Sequence, residues 1–400
     1  MSFQTGIDQL LNSEDLLTQL KNRSCALVAH PASITYEYTH SLDALIRKGC
    51  SIKKAFGPQH GMRGDKQDNM IETEDYLDSR HQIPVVSLYG AHRKPTEEML
   101  AGIDLILFDL QDVGCRIYTY ITTLLYFLEA CSENDIEIWV LDRPNPAGRP
   151  IDGLTLIKGE ESFVGCAPIP TRHGLTIGEL ANWLVAHNAL STNLKVIEMV
   201  NYAPESPVGH GWSETRPWIN PSPNANSINM ARCFAGTVLL EGVNLSEGRG
   251  TTIPLEVIGA PHLPINEMLD LLNNQANEWT QGVYLRTCYF EPTFHKFQGE
   301  MCAGLQIHTD IESYAHETFK PYRLIAGLLK ALKLIQPSIN LWRNHYYEYE
   351  HHRLPIDVIN GGSELRFWID NGQSDFDEFD KRLTLDEKAW KSEREAFLIY

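Results

Sequence analysis

Side chains that could bind a ligand or move protons collect after three consecutive predicted strands. The first group lies in GPQHGMRGD at 57–65 and consists of Gln59, His60 and Arg63. The second lies in FDLQDVGCRIYTY at 108–120 and includes Asp109, Gln111, Asp112, Arg116 and Tyr118. The third lies in LDRPNP at 141–146 and consists of Asp142, Arg143 and Asn145. Because ligands of open parallel sheets bind outside the carboxyl ends of the strands, the three groups are predicted to converge in one cleft.

Each of these residues also has a purely structural interpretation. Asp109 and Asp112 could cap the helix that follows them, and Asp142 could be a turn aspartate. Arg116 could simply pair with Asp112. His60 stands in a glycine-flanked loop, which favours a site role over a place in the core.

A second polar cluster occupies LLEGVNLSEGRGTT at 239–252. Glu241, Asn244, Glu247 and Arg249 are interspersed there with three glycines. A solvated turn would explain the polarity alone. The density of both charge signs in a glycine-rich loop favours a segment that contacts a ligand.

Composition excludes several classes of function. The chain of 400 residues has a formal net charge of -18, which argues against a nucleic-acid surface and against docking on an anionic membrane. The glycines of the first loop do not form a dinucleotide fingerprint, and no Gly-x-Ser-x-Gly elbow occurs. The tract HYYEYEHHR at 345–353 has no recognised zinc spacing. Eight scattered cysteines and an N-terminus without a secretory pattern favour reduced thiols and a cytoplasmic location.

The order of predicted elements indicates an α/β protein. Short apolar runs at 25–30, 52–56, 84–90, 104–110 and 136–142 predict strands. An apolar face over 117–128 predicts a helix between the last two, so the series is typical of a doubly wound parallel sheet. Thr176 and Glu179 predict a capping box at the start of another helix.

The length favours two domains, which we place at 1–228 and 229–400, with a linker at 218–229 that is rich in Pro, Asn and Ser. The second domain is predicted to be a smaller α/β unit. It would open with a strand-like run from Thr237 and contain a helix beginning at Pro321.

Several long motifs together resemble one known family. In order they are GPQHGMRGD, SLYG, KPT, FDLQDVGCRIYTY, LDRPNP, SFVG, PIPTRHGLTIGELA, PSPN, LLEGVNLSEGRGTT and FQGEMCAGLQIH. Over 25–361 the sequence resembles the exo-β-N-acetylmuramidase family. The resemblance implies a Rossmann-like catalytic domain, an auxiliary C-terminal domain and a cleft between them. It also implies release of N-acetylmuramic acid from the non-reducing end of peptidoglycan fragments, with no metal or nucleotide cofactor.

The first loop departs from the family pattern at one position. The family typically reads Pro-Glu-His-Gly there, and its glutamate is the favoured catalytic acid, whereas this chain has Gln59. Glycoside hydrolysis generally needs a carboxylic acid to protonate the leaving oxygen, and an amide cannot supply that proton. Another carboxyl group would have to act, and the candidates are Glu72, Asp109, Asp112 and Glu247, with Asp68 beside Glu72.

The remaining polar residues are assigned to the substrate, a small amino sugar or muropeptide. His60 and Arg63 would bind or polarise it, and Arg116 or Arg249 would pair with the lactyl carboxylate. The other substrate candidates are Gln59, Tyr118, Asp142, Asn145, His173, Glu241 and Asn244. Two rival hypotheses stay open: a non-catalytic sugar-binding protein, and a phosphoryl or acyl transferase, although no phosphate-binding loop supports the latter. A cytoplasmic enzyme would act in muropeptide recycling.

Overall fold

A computed structural model describes residues 3–66, 70–207, 209–213, 215–373 and 375–400. Asp68, one of the candidate acids, lies outside the described residues. The strands are β1 (Cys25–Ala29), β2 (Ile52–Gly57), β3 (Tyr76–Leu77), β4 (Pro84–Ser87), β5 (Leu105–Asp109), β6 (Glu137–Leu141), β7 (Asp152–Thr155), β8 (Pro170–Arg172), β9 (Leu194–Ile197), β10 (Val257–Ala260), β11 (Tyr284–Phe290) and β12 (Cys302–His308).

The helices connect these strands and cover both faces of the main sheet. They are α1 (Gly6–Asn12), α2 (Glu14–Leu20), α3 (Ser41–Arg47), α4 (Glu97–Leu100), α5 (Tyr120–Asn134), α6 (Ile177–His187), α7 (Ile228–Thr237), α8 (Ile265–Ala276), α9 (Pro321–Ile335), α10 (Pro355–Asn360), α11 (Glu364–Asp370) and α12 (Phe376–Arg394).

The main sheet has the strand order of a Rossmann-type fold. Within the described residues its order is β3-β4-β2-β1-β5-β6-β9, and every pairing is parallel except that of the short edge strand β3. Chain order reverses between β1 and β5, which is where such sheets open a crevice for ligands. The predicted doubly wound α/β architecture is confirmed.

The alternation of side chains along β5 explains why helices lie on both faces. Leu105 and Leu107 join a core that contains Leu10 of α1 and Leu45 of α3. Ile106 and Phe108 point the other way, into the larger core with α5 and α6. A strand buried on both faces needs apolar residues at every position, and this is the pattern that the sequence shows there.

The C-terminal part is built on a three-stranded antiparallel sheet in the order β10-β12-β11. The helix predicted at Pro321 is confirmed, with proline in its first turn. The strand predicted from Thr237 is wrong, because Thr237 ends α7 and a 3₁₀ helix covers Val238–Gly242. Ser227 caps α7 by accepting a hydrogen bond from the Met230 amide. Burial of the helix outweighs the low helix propensity of its β-branched residues.

The C-terminal helix α12 returns to the first half of the chain. Trp390 packs edge-on against Trp183 of α6, with ring centroids 5.1 Å apart. The Trp390 indole and the Arg394 guanidinium both donate to the His173 carbonyl, each at 2.8 Å. The larger core therefore contains residues from both halves of the chain. The domain boundary at 228/229 stays a prediction.

Arg116 joins separate segments of the backbone through hydrogen bonds rather than lining a ligand pocket. It is 1% exposed, and its two terminal nitrogens donate to four backbone carbonyls. The acceptors are Leu154 and Ile169 on one side and Ile359 and Asn360 of α10 on the other, at 2.7–3.1 Å. The expected pairing of Arg116 with Asp112 or with a substrate carboxylate is not what the structure contains.

Replacing this guanidinium should destabilise the fold strongly. Arg116→Met is expected to lower the free energy of unfolding in urea by roughly 3–5 kcal/mol, because buried carbonyls lose their donors. The matched change Arg382→Met, at an i,i+4 surface pair with Asp386, should cost less than about 1 kcal/mol. Unchanged stability of Arg116→Met would contradict this role.

Candidate active site

The loop after β2 turns sharply and buries Gln59. His60 and Gly61 both have positive φ, 67° and 74°. A Cβ on Gly57 would lie 2.6 Å from the Met62 amide nitrogen, so the loop folds back directly over the end of its own strand. Gln59 is 6% exposed as a result. A glycine is required at Gly57 because of this close backbone approach.

The start of α5 holds the Gln59 amide from one side. Thr119, the N-terminal flanking residue of α5, donates from Oγ1 to Gln59 Oε1 at 2.8 Å. On the other side, Gln59 Nε2 donates to Glu348 Oε1 at 3.0 Å. Gln59 therefore joins two segments that are far apart in the chain and fixes the position of a carboxyl group.

Glu348 is a buried carboxyl group at the tip of a short turn. It is 3% exposed, and its second oxygen, Oε2, accepts a hydrogen bond from the Tyr89 hydroxyl at 2.8 Å. Both of its oxygens thus face neutral donors, one amide and one phenol. The carboxyl group of Glu348 therefore lies beside Gln59, the loop position where a catalytic acid is expected and the sequence has an amide.

The backbone around Glu348 is strained. Tyr347 and Glu350 form a bridge, with the Glu350 amide donating to the Tyr347 carbonyl at 2.8 Å. The two residues between them, Glu348 and Tyr349, both have positive φ, 44° and 70°. Turns with this geometry normally use Asn and Gly, and each non-glycine residue there costs about 1–3 kcal/mol. Such strain is typical of a functional position.

The surroundings of Glu348 favour its protonated form. Burial raises the pKa of Glu348 to about 7, with the nearby Glu241 acting in the same direction, while the hydrogen bonds from Tyr89 and Gln59 oppose the shift. Burial, followed by the neighbouring Glu348, keeps the pKa of Tyr89 far above its usual value, so this phenol remains a donor. A carboxyl group that titrates near neutral pH suits general acid catalysis.

A second carboxyl group in the same pocket is held by an ion-pair network. Glu241 accepts from Arg249 Nη2 at 2.6 Å and from the Tyr347 hydroxyl at 2.8 Å. Arg249 also contacts Glu247 at 3.1 Å, and Lys296 contacts Glu247 at 2.7 Å. Burial opposes ionisation of Glu247, but Lys296 and Arg249 outweigh it and lower its pKa to about 2. This environment favours the ionised form of Glu247 and gives no support to its predicted role as the acid.

The pocket lies between the start of α5, the loop after β2 and segments of the C-terminal half. Its lining consists of Gln59, His60, Ile117, Tyr118, Thr119, Tyr120, Val164, Ser222, Asn224, Met230, Phe234, Val238, Glu241, Arg249, Leu255, Tyr347 and Glu348. The enclosed volume is about 50 Å³, enough for a few water molecules. A sugar ring therefore needs the open mouth as well as the enclosed part.

Some sequence-predicted residues do converge here. The lining includes Gln59, His60, Tyr118, Glu241 and Arg249. Tyr118 donates its hydroxyl to Ser222 at 2.9 Å, and the ring of His60 contacts the Lys66 carbonyl at 2.9 Å. The first predicted group and the 239–252 cluster thus meet in one pocket. The individual roles of these residues stay predictions.

Other predicted residues bind the protein itself. Asp109 is fully buried and forms a two-point ion pair with Arg143, at 2.6 and 2.9 Å. This pair lies at the end of β5, beside β1, where a Rossmann-type fold would open its ligand site. The structure does not bring Asp109 to the pocket.

The remaining members of the strand-end groups hold loops and helix ends. Asp142 caps α6 through the Gly178 amide and Thr176, both at 2.8 Å, and burial, together with Glu179, raises its pKa to about 7. The predicted capping box of Thr176 and Glu179 is confirmed. Asn145 donates to two backbone carbonyls and accepts from the Ala147 amide at 2.8 Å.

Four further candidates also lie away from the pocket lining. Asp112 accepts from the Gly114 amide at 2.6 Å and lies 3.6 Å from the buried His173 ring. Asn244 donates to the Asn340 carbonyl at 2.9 Å. Arg63 is exposed and stacks over the ring of Tyr76 at 4.2 Å.

Glu72 is exposed and lines a different cavity, shared with Arg63, of about 440 Å³ on the outer side of the β2 loop. Its candidacy as the acid finds no support in this position.

Sequence reasoning missed Glu348, Tyr347, Tyr89 and Thr119. The signal for the first two is the tract HYYEYEHHR, whose histidines draw attention to metal binding rather than to its glutamate at position 348. PSPN, in contrast, did contain pocket residues, Ser222 and Asn224. A non-glycine turn that buries a glutamate has no local pattern that distinguishes it from a solvated polar loop.

Comparison with known sequences identifies the family. The profile described as exo-beta-N-acetylmuramidase NamZ, N-terminal, matches residues 25–229, and the corresponding C-terminal profile matches residues 232–400. The chain belongs to the exo-β-N-acetylmuramidase NamZ family. The resemblance inferred from the motifs is confirmed. The pocket combines residues from both matched segments, with Gln59 from the first and Glu241 and Glu348 from the second.

Individual relatives agree over nearly the full chain. The peptidoglycan beta-N-acetylmuramidase NamZ of Bacillus subtilis strain 168 is 37% identical over 405 residues, which cover 99% of this chain and 91% of that protein. Two DUF1343 family proteins from Bacteroides fragilis NCTC 9343 have similar crystal structures. Their TM-scores are 0.85 and 0.76 at 27% and 26% identity, and each alignment covers 100% of this chain and 99% of the other. Among the described residues of this NamZ-family chain, no helix has the length and apolar character needed to cross a bilayer.

Removing the Glu348 carboxyl should change how stability depends on pH. The folded-state pKa of about 7 lies above the usual 4.5, so the native state binds the extra proton and loses stability as pH rises through this window. The free energy of unfolding of Glu348→Gln is expected to equal that of wild type near pH 4.5 and to exceed it by roughly 2–4 kcal/mol at pH 8. Urea unfolding at several pH values measures this difference.

Glu350→Gln is the matched control, because Glu350 lies two residues away and pairs with Arg353 at 2.7 Å near the surface. Across the same pH range, the free energy of unfolding of Glu350→Gln should change with pH in the same way as that of wild type. Parallel curves for wild type and Glu348→Gln would contradict the raised pKa of Glu348.

Proposed function

We propose that this protein is an exo-acting β-N-acetylmuramidase that releases N-acetylmuramic acid from the non-reducing end of peptidoglycan fragments. Membership of the family and 37% identity to the Bacillus subtilis enzyme support the reaction class and the substrate class. The buried carboxyl group of Glu348 supports catalytic activity in this particular chain. Glu348 supplies a protonatable group at the point where Gln59 cannot act.

In this proposal Glu348 is the general acid. It donates its proton to the glycosidic oxygen as the bond from that oxygen to the anomeric carbon breaks. Water supplies the new bond to the anomeric carbon, and a proton of that water restores the Glu348 carboxyl group. The Gln59 amide and the Tyr89 hydroxyl already point at its two oxygens, at 3.0 and 2.8 Å. Both donors stabilise the carboxylate that remains after proton transfer, and they need little rearrangement to do so.

Glu241 would act on the sugar ring. Arg249 and Tyr347 hold this carboxylate in a fixed orientation in the same pocket. A negative charge there stabilises the positive charge that develops on the ring in the transition state. Glu241 is therefore the residue that we assign to electrostatic stabilisation, with Glu348 as the acid.

The two rival hypotheses receive less support. Loss of the motif glutamate favoured a sugar-binding protein without activity, but the Glu348 carboxyl at 3.0 Å from the same amide removes that argument. A phosphoryl transferase would need a phosphate-binding loop, whereas the Asp109–Arg143 pair lies where the usual crevice would open. The cytoplasmic location and the recycling context stay predictions.

Two isomeric disaccharides test the proposal. The enzyme is expected to cleave N-acetylmuramyl-β-1,4-N-acetylglucosamine and to leave N-acetylglucosaminyl-β-1,4-N-acetylmuramic acid intact, with products identified by chromatography and mass spectrometry. Glu348→Gln should lower kcat/KM by about 10²–10⁴-fold, and the wild-type kcat/KM should fall above about pH 7 as the acid ionises. Glu350→Gln serves as the neighbouring control.

Three results would contradict the proposal in different ways. Binding of the disaccharide without turnover would favour the sugar-binding alternative. Full activity of Glu348→Gln with loss in Glu72→Gln would move the acid to Glu72. Cleavage of both isomers would contradict the exo specificity for N-acetylmuramic acid.

A further inference from the structure

Two cations at the pocket, Arg249 and Lys296, are paired with carboxylates. Arg249 lines it and contacts Glu241 at 2.6 Å and Glu247 at 3.1 Å. Lys296 lies behind and contacts Glu247 at 2.7 Å. Two cations thus face two carboxylates, and this cluster has no charge left to offer a ligand. An anionic substituent entering the pocket meets a network that is electrically complete.

Glu348 lies outside that cluster, and its hydrogen-bond partners among the described residues are neutral. Its oxygens accept from Gln59 and Tyr89, and its amide faces the Met70 sulfur at 3.4 Å. Of the charged groups around it, Glu241 repels its carboxylate, and Arg93 attracts it only from a position over the Tyr349 ring. The phenols of Tyr89, Tyr347 and Tyr349 are uncharged. Ionisation of Glu348 therefore leaves a net negative charge in the pocket.

The substrate class of the proposed function brings a second negative charge. N-acetylmuramic acid differs from N-acetylglucosamine by a lactyl ether that ends in a carboxylate. Neutral donors are present to receive it. Tyr118 donates to Ser222 Oγ at 2.9 Å, so the Ser222 hydroxyl still has its own hydrogen to donate. Among the described residues, no protein acceptor takes that hydrogen. Two like charges in one buried pocket cannot both be fully ionised.

We propose that the pocket binds the anionic sugar together with one proton, which Glu348 takes up, so that the lactyl carboxylate holds its own general acid in the protonated form. This inference rests on the proposed function and adds a specificity mechanism to it. A neutral sugar lacks the second charge and does not hold the proton. Binding of the sugar carboxylate thereby favours the protonated form of Glu348, which is the form that can donate a proton.

The coupling has a kinetic consequence. The fall of kcat/KM at high pH reports the free enzyme, and the fall of kcat reports the enzyme–substrate complex. With an N-acetylmuramic acid β-glycoside, the fall of kcat should therefore occur at higher pH than the fall of kcat/KM. With the matched N-acetylglucosamine β-glycoside the two should nearly coincide.

Calorimetry measures the proton directly. N-acetylmuramic acid and N-acetylglucosamine are titrated into the wild-type protein at pH 8, in two buffers that differ in ionisation enthalpy. A shift of the Glu348 pKa from about 7 by roughly two units on binding gives an uptake of about 0.8 proton for the anionic sugar, against about zero for the neutral one. Affinity for the anionic sugar alone should also fall about tenfold per pH unit above pH 7.5.

Variants assign the proton to its residue. Glu348→Gln should bind N-acetylmuramic acid with no uptake at pH 8, whereas Glu350→Gln should match wild type. His60 also lines the pocket, so uptake that persists in Glu348→Gln would place the proton elsewhere and overturn the inference. Since the comparison of the two sugars on wild type needs no variant, it stands even if Glu348→Gln fails to fold.

The outcomes separate this inference from the function on which it rests. Binding and cleavage of the anionic sugar without proton uptake would overturn the coupling and leave the proposed function intact. Failure to bind either sugar at any pH would overturn both.

Discussion

The hydrogen bond between Gln59 and Glu348 is the contact on which the site depends. It joins a loop at the end of β2 to a turn 289 residues further along the chain. Without the amide, a buried carboxyl would lose a donor, and without the carboxyl, the amide would lose an acceptor. Thr119 and Tyr89 complete the arrangement, so three side chains from three segments fix the carboxyl group of Glu348. The positive φ values at Glu348 and Tyr349 are the local cost of holding it there.

The electrostatics of the pocket follow from which groups are paired. Arg249 pairs with Glu241 and Glu247, and Lys296 pairs with Glu247, so that the two cations lower the pKa of Glu247. Among the described residues no cation forms an ion pair with Glu348, and burial is the main cause of its raised pKa. Two carboxyls in one pocket therefore have different environments, one paired with a guanidinium and one among neutral donors. Glycosidases divide the roles of acid and charge stabiliser between such carboxyls.

The fold was largely predictable from sequence, but the site was not. The apolar runs that became β1 and β5 are buried at every position, and such runs predict central parallel strands. Polar residues at the strand ends misled in part: Asp109 pairs with Arg143 and Asp142 caps α6, because buried polar groups need hydrogen-bond partners. Glu348 could not be found, since its burial and its partner Gln59 depend on long-range packing. The strand expected at Thr237 failed for a similar reason, because tertiary burial outweighs local propensity.

The dependence of rate on the leaving group tests the role of Glu348 most directly. A 2,4-dinitrophenyl aglycone departs without protonation, whereas a sugar or alkyl aglycone needs an acid. With N-acetylmuramic acid β-glycosides of both kinds, Glu348→Gln should stay within about tenfold of wild type on the dinitrophenyl substrate and lose about 10³-fold or more on the sugar aglycone. Equal losses on both substrates would contradict the assignment of Glu348 as the general acid.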